Sequence, residues 1–202
     1  MYNKGINREN LGEYPKALNN LFLALSLMPK SFKTYIAIAR VNQKNKTFLN
    51  AIDFYNKAIM RFPKNAELHA LKAYVLRKIK DYDNALISYN KAIQLDGEKV
   101  NYYTERGNLK YQMNDLQGAI NDYTGALCHN NTDYKLYEQR AFYQFEKKNY
   151  ESAETDYKAA INICPNNAHL YFMLGMTEKL LNKTTEAETN LKKSQELGLV
   201  IN

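Results

Sequence analysis

One alanine recurs through the whole chain at a constant offset of 34 residues: Ala17, Ala51, Ala85, Ala119, Ala153 and Ala187. Seven residues on, a second column reads Ala24, Ala58, Ala92, Ala126, Ala160 and Ser194. Twelve residues before the first column stand Gly5, Ala39, Ala73, Gly107, Ala141 and Gly175, small every time, and between the alanines lie Leu21, Tyr55, Tyr89, Tyr123, Tyr157 and Leu191, large every time. The pentapeptide YNKAI, at 55–59 and again at 89–93, is the visible tip of this period. A chain that repeats itself in this way builds an array of similar units rather than one irregular core.

Each unit reads as two helices. The invariant Ala, the large residue and the second Ala are spaced as i, i+4 and i+7, which places them on one helical face. Small residues on that face let neighbouring helices approach closely. Asp81, Asp115 and Asn149 are polar starters suited to accept a backbone N–H at the head of the second helix. Pro29, Pro63 and Pro165 stop that helix, with Gly97 and Asn131 in the same place of two other units. With 8 Gly and 4 Pro, the chain has few of the tight turns that a β-sandwich needs.

On these columns the chain resembles the tetratricopeptide repeat (TPR) family, whose units share this period and carry small residues at positions 8, 20 and 27, an aromatic at 24 and proline at 32. Position 4 reads Met1, Tyr35, His69, Tyr103, Tyr137 and Tyr171, mostly the aromatic that the family favours. In this frame the units are 1–31, 32–65, 66–99, 100–133, 134–167 and 168–201, so the resemblance covers nearly the whole chain as a single repeat domain. It departs at position 11 (Arg8, Asn42, Leu76, Lys110, Gln144, Glu178) and at position 7, where Lys4, Lys72, Arg106 and Arg140 replace leucine. The fold class implied is all-α: a right-handed α–α superhelix of helix-turn-helix repeats.

The position-7 arginines are informative. Arg106 and Arg140 share their units with Asp122 and Asp156 at position 23. Two readings compete: solvated surface charge, worth about 0–1 kcal/mol, or half-buried structural ion pairs next to the core stripe, which are expected here. Neither is catalytic. No nucleophile–base constellation, Walker loop, GxSxG or HExxH occurs. His69 falls in a core slot, and Cys128, His129, Cys164 and His169 sit at helix ends at a spacing that matches no zinc pattern. No enzyme activity, cofactor or metal is expected.

The family resemblance implies that the first-helix face opposite the core receives an extended peptide. Positions 2, 5, 6, 9, 12 and 13 form that face. They give Lys33, Arg40 and Lys44 in the second unit and Tyr74, Arg77 and Lys78 in the third. The fourth offers Glu105, Asn108, Tyr111 and Gln112, the fifth Glu138, Gln139, Phe142 and Phe145, and the sixth Phe172, Met173 and Met176. The face grades from basic to aromatic to apolar, and its large side chains serve either a ligand or mutual packing.

Charge is uneven. Residues 1–100 carry 17 Lys and Arg against 8 Asp and Glu, whereas 101–202 carry 11 against 13. That asymmetry suits an acidic segment of a protein partner. The chaperone-tail clamp of some TPR proteins is not matched, since the first unit shows Tyr2, Asn3 and Ile6 and the second Ile36, Ala37 and Arg40. The isoelectric point near 9.2 and the aromatics raise nucleic acid as an alternative partner, but the residues vary between units where a helical RNA reader repeats a base-reading pair.

No run of about 18 apolar residues is present, so membrane insertion is not expected. The opening MYNKGINRENLGEY lacks the apolar core of a secretory signal. The compartment stays open, with a cytoplasmic setting as default. At the ends, Leu191, Leu197, Leu199, Val200 and Ile201 lead to the expectation of an exposed apolar flank, hence of end-to-end self-association or of a longer parent protein.

Overall fold

The computed structural model describes residues 1–199, and among these every regular element is α-helical. Twelve helices follow one another: α1 Tyr2–Asn10, α2 Tyr14–Leu27, α3 Phe32–Lys44, α4 Phe48–Arg61, α5 Ala66–Lys78, α6 Tyr82–Leu95, α7 Val100–Gln112, α8 Leu116–His129, α9 Tyr134–Glu146, α10 Tyr150–Ile163, α11 Ala168–Leu180 and α12 Thr184–Glu196. They form two compact units, one over Met1–Gly97 (α1–α6) and one from Glu98 onward (α7–α12). Within each, every helix packs on its neighbours in the chain, and the two helices of a pair pack most extensively.

The period becomes packing. Ala17, Ala51, Ala85, Ala119 and Ala153 are wholly inaccessible, as are Ala58, Ala92, Ala126, Ala160 and Ser194. The large column between them is buried too, through Leu21, Tyr55, Tyr89, Tyr123 and Tyr157. The reason for the small column is direct at Gly107, where a Cβ would lie 3.0 Å from the Tyr123 ring, and at Gly5, where it would lie 2.7 Å from Leu21.

Helix ends depart in part from the sequence expectation. Asp81 and Asp115 accept from the backbone N–H of Asn84 and Gly118, but Asn149 makes no side-chain cap bond. Caps not anticipated stand at Asn65, Asp133 and Asn167, at the heads of α5, α9 and α11. The turn inside each pair has one geometry throughout. A residue in left-handed backbone conformation recurs with the period: Gly12, Lys46, Lys80, Asn114, Lys148 and Asn182. Its N–H and the next N–H bond back to the helix, as Lys80 to the Arg77 carbonyl and Asp81 to the Leu76 carbonyl, which together satisfy the last carbonyls of the first helix.

The outer flanks are polar. Where α3 buries Ala37, Ile38 and Val41, α1 exposes Asn3, Lys4 and Asn7. Where α8 buries Ile120 and Leu127, α12 exposes Glu188 and Gln195. Of the apolar residues anticipated on the flank of α12, Leu191, Leu197 and Leu199 are half-buried, and Val200 and Ile201 lie outside the described residues.

Candidate functional site

In the first unit the candidate face is carried by α1, α3 and α5. Arg40 and Lys44, one turn apart on α3, both reach Glu9 on α1. Arg40 Nε and Nη2 each donate to a Glu9 carboxylate oxygen at 2.7 Å, and Lys44 Nζ lies 2.9 Å from Oε1. The Glu9 side chain is 1% exposed, while those of Arg40 and Lys44 remain 45% and 46% exposed. Burial pushes the Glu9 pKa up, but the hydrogen bonds and charges of Arg40 and Lys44 outweigh it and hold the group below the usual carboxylate range. Two of the predicted cations thus already serve an internal carboxylate. Sequence reasoning passed over Glu9, although position 12 of the first unit, read as in the others, points to it.

Further along, Tyr74 is exposed on α5, with the Arg77 guanidinium 5.6 Å and the Lys78 ammonium 5.3 Å from its ring centre. Both distances are within cation–π range. Lys33, in the first turn of α3, is exposed. Beneath this face the Tyr55 hydroxyl donates to Gln43 Oε1 at 2.8 Å.

In the second unit the face is carried by α7, α9 and α11. Asn108 Oδ1 accepts from the hydroxyls of Tyr123 (2.9 Å) and Tyr143 (2.8 Å), tying α7 to α8 and to α9. Tyr111 packs against Tyr143 at 4.8 Å and against Phe142 at 5.8 Å between ring centres. Phe145 stacks edge-on with Tyr150. Phe142, Phe145, Phe172, Met173 and Met176 are all half-buried, so part of each ring or thioether is packed and part faces solvent. Glu105 and Glu138 are half-buried beside them. Burial raises the pKa values of Tyr55, Tyr123 and Tyr157, so these phenols stay neutral donors at ordinary pH. Among the described residues the Tyr157 hydroxyl has no hydrogen-bond partner, because positions 9 and 12 of its unit, which hold Asn108 in α7 and Gln43 in α3, are here Phe142 and Phe145.

Away from this face the acidic position 23 collects cations. Arg106 Nε donates to Asp122 Oδ2 at 2.9 Å, and Lys110 lies 3.0 Å from the same oxygen. Arg140 Nε and Nη2 donate to the two Asp156 oxygens at 2.7 Å, and its Nη1 donates to Thr124 at 3.1 Å. Both aspartates are buried. In the last pair Asn190 donates to buried Glu178 instead.

Among the described residues no group of His, Cys, Asp or Glu is arranged to hold a metal ion, and no helix is long and apolar enough to cross a membrane. His69 hydrogen-bonds the Pro63 backbone, and burial lowers its pKa, which favours the neutral ring.

Comparison with known proteins places this geometry. The tetratricopeptide repeat family model matches residues 66–99, 134–167 and 168–197. No curated protein sequence matches the chain. Among solved structures, the C-terminal part of a TPR repeat-containing protein from Cytophaga hutchinsonii is similar with a TM-score of 0.84 and 15% identity, over 98% of this chain and 79% of that one. MamA is similar with a TM-score of 0.75 and 21% identity, over 87% of this chain and 100% of that one. YrrB, described as a TPR protein with an unusual peptide-binding site, is similar with a TM-score of 0.73 and 17% identity, over 88% and 92%. With its period carried into six helix pairs and the family motif matched in three segments, the chain belongs to the tetratricopeptide repeat family.

Proposed function

We propose that this chain is a non-catalytic protein-interaction scaffold, and that the first-helix faces of its pairs receive a peptide or protein segment. The observation that carries the reading is the wall of the second unit, where Tyr111, Phe142, Phe145, Phe172 and Met176 are packed on one side and open on the other. Half-open aromatic and thioether side chains held by a rigid helical frame supply apolar anchoring area at low entropic cost. YrrB, of the same fold, is described by its peptide-binding site, which supports the same use here. In the first unit Tyr74, Arg77 and Lys78 suit an acidic or carboxylate-bearing segment, whereas Arg40 and Lys44 offer such a segment only the charge left over from Glu9.

Selection from a displayed random-peptide library, followed by fluorescence anisotropy with the selected peptides, tests the reading. Phe142→Ala and Phe172→Ala are expected to weaken binding at least about tenfold with helicity unchanged. Peptides that bind both variants as tightly as the parent chain, or a failure to select any, would remove this face from consideration.

A further inference from the structure

The first unit holds unneutralised positive charge on an edge that shares only Lys33 with the peptide-receiving face. The α2–α3 and α4–α5 turns lie side by side, joined by Phe32 and Phe62, whose rings meet edge-to-face at 5.3 Å, and by Arg61, whose guanidinium lies 5.6 Å from the Tyr35 ring centre. Around this seam Lys30, Lys33, Arg61 and Lys64 are all exposed. None of the four has an ion-pair partner among the described residues, whereas Arg8, Lys16, Arg40, Lys44 and Lys57 of the same unit are paired. No Asp or Glu occurs between Glu13 and Asp53, or between Asp53 and Glu67, to balance them.

Next to these cations in the chain stand three apolar side chains that the fold leaves bare, Leu27 and Met28 shortly before Lys30 and Met60 before Arg61, at 68%, 56% and 75% exposure. The fold itself does not require such an edge. The corresponding turns of the second unit read HNNTD at 129–133 and CPNN at 164–167, with no Lys or Arg, and of the four cations only Lys33 has a counterpart there, Lys135.

We propose that this edge of the first unit docks reversibly onto an anionic lipid surface. Leu27, Met28 and Met60 enter the boundary between headgroups and acyl chains, and Lys30, Lys33, Arg61 and Lys64 meet the lipid phosphates and carboxylates. Charge complementarity argues for an anionic occupant. The form of the edge argues for lipid: aliphatic tips that project outward need a surface that deforms around them, and long cationic side chains on flexible stems reach headgroups at different depths. Each such cation strengthens adsorption about fivefold, and each buried aliphatic group adds to it.

The test is co-sedimentation of the full chain with phosphatidylcholine vesicles with and without phosphatidylserine, at fixed salt, with circular dichroism as the check on folding. Binding is expected only with phosphatidylserine. It is expected to fall at least about tenfold in the Lys30→Glu, Lys64→Glu double variant, and several-fold in Met28→Ser, Met60→Ser, which keeps every charge. Substituting Lys46→Asn, an exposed cation in the α3–α4 turn at the other end of these helices, is the control and leaves binding nearly unchanged. Lack of binding to the anionic vesicles overturns the proposal, as does binding lost equally in the Lys46 control. Capture of a labelled polyglutamate peptide by this edge without vesicle binding overturns it in favour of an acidic protein partner.

Discussion

Arg40 on α3 grips Glu9 on α1 through two parallel hydrogen bonds of 2.7 Å, closing a contact between the first helices of consecutive pairs. The carboxylate is buried and the guanidinium is nearly half exposed, so the two residues are not equivalent to mutation. Arg40→Gln leaves a buried charge with only Lys44 and is expected to cost about 1–3 kcal/mol, less than a fully buried pair because solvent screens the arginine. The folded pKa of Glu9 is depressed, so its contribution is present above the unfolded carboxylate value of about 4.3 and lost as pH falls through the lower folded value. Urea unfolding across that acidic range should show a stability loss in the parent chain that is reduced in Glu9→Gln.

At the position-23 pairs, breaking and replacing have opposite outcomes. Arg140→Ala strands the buried Asp156 and is expected to cost about 3–5 kcal/mol. Arg140→Leu combined with Asp156→Leu restores the leucine that the family favours at position 7, and should recover most of that loss. A double-mutant cycle on denaturation midpoints measures the coupling, and an additive double variant would mean that the pair is merely solvated.

Lys80 adopts a φ of 63°, a region costly for any residue with a Cβ. Lys80→Gly removes that cost at the expense of a more flexible unfolded chain, for a net gain of about 0.5–1 kcal/mol. Lys80→Val, with a branched Cβ in the same turn, should lower the melting temperature.

Gly107→Ala places a methyl 3.0 Å from the Tyr123 ring, and Tyr123 is held by its hydroxyl on Asn108 and cannot retreat freely. A loss of about 1–3 kcal/mol is expected. Adding Tyr123→Leu should not relieve it, since a Cβ at Gly5 or Gly175 would lie only 2.7 or 2.8 Å from Leu21 or Leu191; thermal melts of the single and double variants compare the two.

With polar flanks on α1 and α12, sedimentation velocity over a concentration series should show one monomeric species. A weight-average mass that climbs with concentration would restore end-to-end stacking.

Much of this molecule is written at fixed offsets, and what is periodic is readable. The alanine columns mark the buried face because close helix contact admits nothing larger there, and the 16-residue offset of Arg106 from Asp122 spans the turn between paired helices. The left-handed turn residue escaped notice because glycine, its usual marker, occurs there only as Gly12, while Lys46, Lys80, Asn114, Lys148 and Asn182 look like ordinary polar loop residues. The Glu9 contact was missed because it joins positions of two different units, so no single unit's pattern contains it. Whether a half-buried ring such as Phe142 serves a ligand or its neighbours depends on how far it tilts, and a list of positions has no term for tilt.

Because within each unit every helix packs on the helices next to it in sequence, the native contacts there span short stretches of chain. Little loop-closure entropy stands between the unfolded chain and its first structure, so each pair can form as soon as its own residues are free to meet. A nascent chain of this kind acquires structure progressively from its N-terminus during synthesis. The Glu9–Arg40 contact, which links the first two pairs, is then complete long before the aromatic wall of the second unit has been made.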